Sequence, residues 1–96
     1  MENILVIWVS SQLIDTAQIA VKAALKRDYS IDERDLKEIT NGFEFLFDDE
    51  TGGHAKIEFI PEGANLGIKL SANYSWEAIS LYEMIQGCFD WEDQHE

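Results

Sequence analysis

The sequence predicts an α+β domain with elements in the order β-α-β-β-β-α, and three observations carry that prediction. An unbroken apolar run at Ile4 to Val9 is followed by apolar residues at helical spacing, period-two alternation recurs between Phe43 and Leu70, and a second helical stripe closes the chain. The alternating segments read as an antiparallel meander joined by the N-terminal strand, with two helices packed on one sheet face.

Ile4 to Val9 is rich in β-branched side chains and ends at Ser10 and Ser11. A continuous run of this kind predicts a strand covered on both faces and set centrally in the sheet. With Ser11 as N-cap, Leu13, Ile14, Ala17, Ala20, Val21, Ala24 and Leu25 form one helical face. Lys26 and Arg27 in the last turn complement the negative end of the helix dipole. Residues 28–38 are polar, and the capping-box spacing of Ser30 and Glu33 predicts a short helical turn there.

The segment 36–40 is short enough to be either an extra strand or part of a connection. Asn41-Gly42 then favours a two-residue hairpin or a bulge, after which Phe43, Phe45 and Phe47 share one face. Beyond the loop Asp48 to Gly53, Ala55, Ile57 and Phe59 alternate with Lys56 and Glu58, as in a half-exposed strand. Pro61-Glu62-Gly63 turns the chain into a further strand, in which Leu66, Ile68 and Leu70 alternate with Gly67, Lys69 and Ser71. The last helix begins near Ser75, with Ala78, Leu81, Tyr82, Ile85, Cys88 and Phe89 as its apolar stripe. Gly87 weakens that helix without forbidding it.

The 96 residues leave room for one core, so 1–96 reads as a single acidic domain whose tail after about residue 91 is expected to lose order. At 46% hydrophobic the chain is too apolar to stay unfolded. Nineteen Asp and Glu against seven Lys and Arg give a formal net charge of −12, which disfavours direct contact with nucleic acid or an anionic membrane. That excess is larger than the magnitude of about 2–8 that solubility asks of a small domain, and it favours a basic protein partner such as a nuclease or DNA-binding protein. The lone Cys88 has no intramolecular disulfide partner, the start Met1-Glu2-Asn3 lacks the positive region of a secretory signal, and no long uncharged apolar run occurs. These features together predict a cytoplasmic protein.

The acidic residues gather at 28–38, 44–50 and 90–96. Solvated loops collect charge, but clustered like charges also cost stability by self-repulsion, so a partner-binding role is the functional reading. Asp48, Asp49, Glu50, Asp90, Trp91, Glu92 and Asp93 are the candidate contacts, because an aromatic ringed by polar residues is a common binding anchor. Trp76, Tyr29 and Tyr74 are weaker candidates of the same kind.

His54 follows Asp48, Asp49 and Glu50 across Gly52-Gly53, a set that could in principle hold a divalent ion but fits no calcium loop. Gly52-Gly53 lacks the Lys-Ser/Thr of a phosphate loop, and Cys88 has no histidine beside it in sequence to activate it. No catalytic, cofactor or metal residue is assigned, and the chain is expected to be non-catalytic. In general style it resembles immunity proteins that neutralise toxic nucleases and phage-encoded anti-defence proteins that imitate DNA. The likeness is one of class, carried by size, acidity and the lack of catalytic motifs. It implies an inhibitor whose acidic surface neutralises a basic nucleic-acid-handling partner. Two alternatives stand beside that reading: an adaptor or oligomerisation module whose exposed strand edge or second helix pairs with another chain or its own copy, and a small metal-dependent enzyme using His54 and the 48–50 loop.

Overall fold

The computed structural model describes residues 3–48 and 53–93, and the side chains of all of these except 47, 48 and 90–93. The expected α+β fold is observed: a five-stranded sheet with two helices packed on it. Strands β1 (Asn3–Ser10), β2 (Lys37–Ile39), β3 (Gly42–Asp48), β4 (Gly53–Glu62) and β5 (Asn65–Ala72) lie in the order β1-β5-β4-β3-β2. Every neighbouring pair is antiparallel. Helix α1 is Ile14–Tyr29 and α2 is Ser75–Asp93. The described part of the predicted tail, 91–93, is the end of α2, and residues 94–96 lie outside the described residues.

β1 corrects one expectation. It lies at the sheet edge, not the centre, and its burial alternates: Ile7 is buried, whereas Ile4, Val6 and Trp8 are exposed. Both helices pack on the face that carries Ile7, Ile57 and Ile68, so nothing is left to cover the other side of β1. An unbroken apolar run states that both faces are apolar and leaves open whether both are covered.

The connections follow local rules, with small shifts from the expected positions. Ser10, not Ser11, caps the first turn, accepting the Gln12 N–H at 3.3 Å, and a 3-10 turn at Ser11–Leu13 precedes α1. α1 stops at Ser30, whose φ of 58° and ψ of 32° are left-handed. There the Ser30 N–H donates to the Lys26 carbonyl, the 5→1 bond of an αL closure, and the Ile31 N–H donates to the Leu25 carbonyl, with Ile31 buried beyond it. With Ser30 used as the stop, the following 3-10 turn at Glu33–Asp35 starts at Asp32, whose N–H donates to Asp35 Oδ2 at 3.0 Å.

The short segment at 36–40 does form a strand, β2, and its two-residue turn to β3 is Thr40-Asn41. Gly42 belongs to β3, where a Cβ would run into the carbonyl oxygen of Ile57, so this glycine serves close backbone approach and not turn conformation. β4 continues through Pro61 to Glu62, and Gly63-Ala64 makes the turn with Gly63 at φ 63°. Phe59 donates its N–H to Asn41, so the nitrogen of Pro61 points the same way, past the end of β3, where no donor is needed.

The core lies between the inner sheet face and the helices. α1 contributes Ala17, Val21, Ala24 and Leu25, and α2 contributes Ala78, Leu81 and Ile85. α2 packs over β1 and β5, while α1 reaches the far side, with Lys22 Nζ 5.8 Å from the centre of the Phe43 ring.

Candidate protein-binding surfaces

Charge is sorted unevenly over this scaffold. Lys22 pairs with Glu33 at 3.4 Å, Lys26 with Asp32 at 3.8 Å, Arg27 with Asp28 at 2.9 Å and Arg34 with Asp32 at 3.6 Å. Lys37 pairs with Glu44 and Lys56 with Glu58, and Lys69 stands opposite Glu58 in the β4–β5 register. The Arg27 hydrogen bonds hold the Asp28 carboxyl below its ordinary range, and Asp28 in turn raises the guanidinium. Exposed pairs of this kind add little stability, but they fix where the positive charge is spent. The acidic segment 28–38 is therefore largely compensated. No Lys or Arg follows Lys69, whereas Glu77, Glu83, Asp90, Glu92, Asp93 and Glu96 do.

The sequence-derived contact residues fall at two places. Asp48 ends β3, opposite Gly53, while Asp49 and Glu50 lie outside the described residues. Asp90, Trp91, Glu92 and Asp93 form the last turn of α2. At the other end of that helix Glu77, fully buried, packs its carboxylate against Gly53 so closely that a Cβ there would overlap it. This contact holds the β3–β4 end beside the first turn of α2. Glu77 and Asp90 are thirteen helical steps apart, roughly 20 Å at 1.5 Å per residue. Asp48 and the segment 90–93 thus lie toward opposite ends of α2.

His54 is about half exposed and its Nε2 lies 3.5 Å from Glu44 Oε2 on the open sheet face. Among the described residues no three His, Cys, Asp or Glu side chains converge in a metal-binding arrangement. Cys88 is half-buried: its Sγ donates to the Met84 carbonyl at 3.4 Å, and desolvation pushes the thiol's pKa up. Tyr29 packs at the α1–α2 junction, where burial raises its pKa despite a hydrogen bond with Ser80. Trp76 and Tyr74, at the start of α2, are 48% and 44% exposed. A half-open groove of about 290 Å³ between α1 and the β2–β3 hairpin is lined in part by Lys22, Phe43, Phe59 and Pro61. It is at the small end of ligand sites, and its lysine is already engaged by Glu33 and the Phe43 ring.

The residues that sequence reasoning missed are on β1. Ile4, Val6 and Trp8 are 51%, 39% and 57% exposed on the open face. Trp8 lies across Gly67 of β5, its ring 3.1 Å from where a Cβ would stand, so the glycine gives the indole a floor. The signal that could have found them was the helix count, since two helices on one face leave the other bare. No helix among the described residues is long and apolar enough to cross a membrane. No family model, curated protein or solved structure matches the chain.

Proposed function

We propose that this chain is a non-catalytic binding protein whose acidic surface neutralises a basic, nucleic-acid-handling partner. The observation that carries the reading is the sorting of charge: the basic side chains cluster on acidic residues between 22 and 58, so the negative charge that follows Lys69 has no cationic neighbour in sequence. A concentration of like charge raises the rate of encounter with a cationic surface and sets the orientation of docking. The end of α2 offers Asp90, Glu92 and Asp93 together with Trp91, and the β3–β4 loop offers Asp48, Asp49 and Glu50. A basic groove long enough to meet both ends of α2 fits this reading best.

The test starts from partner capture at low salt with the intact protein as bait, followed by titration of the recovered basic protein. The triple reversal Asp90→Lys, Glu92→Lys, Asp93→Lys is expected to weaken binding at least about tenfold, roughly 1.4 kcal/mol, and to flatten its salt dependence. Binding that is indifferent to the reversal and to salt would sink the proposal.

A further inference from the structure

The two edges of the sheet are built differently. β2 is three residues long and carries Lys37 and Glu38, which is how natural sheets blunt an edge. β1 is eight residues long, Asn3 to Ser10, with no charge, no proline and no register shift against β5. The ladder shows which groups it leaves open. Ser11 donates its N–H to the Ala64 carbonyl, which continues the β1–β5 register, so the odd-numbered residues of β1 bond to β5. Ile4, Val6 and Trp8 therefore direct their N–H and C=O groups away from the sheet, and the same three side chains are exposed on its open face.

We infer that a second copy of this chain covers this edge, with β1 pairing antiparallel to its own equivalent about a two-fold axis at Val6. An antiparallel edge is self-complementary under such an axis. With Val6 opposite Val6 of the other copy, Ile4 stands opposite Trp8 and Trp8 opposite Ile4, so each large exposed side chain meets another apolar one. Shifting the register by two residues, which keeps the bonding groups matched, would set Ile4 against Ser10 and lose that pairing.

Charge selects the occupant. Two molecules of net charge −12 repel each other, and β1 is a neutral strip along which they can approach. A strongly basic partner gains nothing from that strip. α2 packs over β1, and its Ile79 is 51% exposed. A strand edge about 27 Å long, with a sheet and a helix layer behind it, buries roughly 600 Å² per copy, at the lower end of stable interfaces. The product is a continuous ten-stranded sheet with both α2 helices at its centre.

The test is sedimentation equilibrium of the full chain over about 1–300 μM, a range suited to an interface of this size. The mass should rise from 11.0 kDa toward twice that value. Val6→Lys, which sets like charges face to face on the axis, should hold the mass at one copy while keeping the circular dichroism spectrum. Under mild oxidation Val6→Cys should form a covalent dimer, because paired Cα atoms about 5.5 Å apart suit a disulfide. Trp8→Cys should not, since its two copies would stand roughly 14 Å apart. Added salt should tighten the dimer by screening self-repulsion, the opposite of its effect on a basic partner, so the two proposals can fail separately. A one-copy mass throughout the range overturns the inference and leaves the edge to a strand of another protein. Cross-linking through Trp8→Cys but not Val6→Cys overturns it as well.

Discussion

Ser30→Gly should make this protein more stable. Ser30 is the non-glycine residue with positive φ among the described residues, at φ 58° and ψ 32°, and its side chain is exposed. The left-handed conformation costs an L-residue roughly 1–2 kcal/mol, from crowding between Cβ and the backbone. Glycine removes that cost but frees the unfolded chain, which returns about 0.4–1 kcal/mol. The net gain is about 0.5–1 kcal/mol, or roughly 2–8 °C in Tm for a domain of this size. The closing bonds from Ser30 to Lys26 and from Ile31 to Leu25 are main-chain and survive the change. Ser30→Val should move the other way by about 1 kcal/mol or more, because a β-branched side chain tolerates this region worst. Urea unfolding followed by circular dichroism, at one fixed protein concentration, gives the midpoint, and an unchanged m-value shows that the surface exposed on unfolding is the same in each variant. A glycine variant less stable than wild type, or a valine variant equal to it, would refute the left-handed stop at Ser30.

Gly42→Ala should cost about 2–4 kcal/mol in the same assay, because its Cβ meets the Ile57 carbonyl and the β3–β4 ladder must part, whereas Gly67→Ala should cost less than about 1 kcal/mol since only the edge of the Trp8 ring has to swing aside. The Cys88 thiol should react with a disulfide reagent at pH 8 at least roughly fivefold more slowly in the folded protein than in urea, because desolvation and its hydrogen bond to Met84 keep it protonated; equal rates would contradict that burial.

Much of the fold was legible because periodicity reports directly on burial. Ala17, Val21, Ala24 and Leu25 of the α1 stripe, Ala78, Leu81 and Ile85 of the α2 stripe, and the alternating Ala55, Ile57 and Phe59 are buried as their spacing predicts, while Ile14, Ala20, Tyr82, Cys88 and Phe89 are half-buried. What was not legible depended on tertiary competition among equivalent local signals. Ser10 and Ser11 are both competent caps, and the one that sits where β1 ends takes the role. Asn41-Gly42 is a strong hairpin signal, yet β4 approaches β3 so closely that the glycine is needed one place later, inside the strand. The place of β1 in the sheet was misread for the same reason: Ile4, Val6 and Trp8 are apolar whether a helix, a second copy or solvent lies over them. The acidic candidates were visible as composition, but composition carries no positions. The ion pairs of Lys22, Lys26, Arg27 and Arg34 show that the segment 28–38, one of the three acidic runs in the sequence, is largely spoken for.

The two proposed surfaces make different demands on one small fold, and the topology keeps them apart. A neutral hydrogen-bonding edge works only if self-repulsion is weak along it, and β1 meets that condition with eight uncharged residues. An electrostatic docking surface needs a concentration of like charge, and the last turn of α2 carries Asp90, Glu92 and Asp93 with no lysine or arginine near in sequence. α2 links the two, since it packs over β1 while its end carries Asp90, Glu92 and Asp93. Pairing through β1 would therefore set two copies of α2 side by side and join both acidic ends in one assembly. A basic partner with two equivalent grooves would gain from that by effective concentration, with no new contact required.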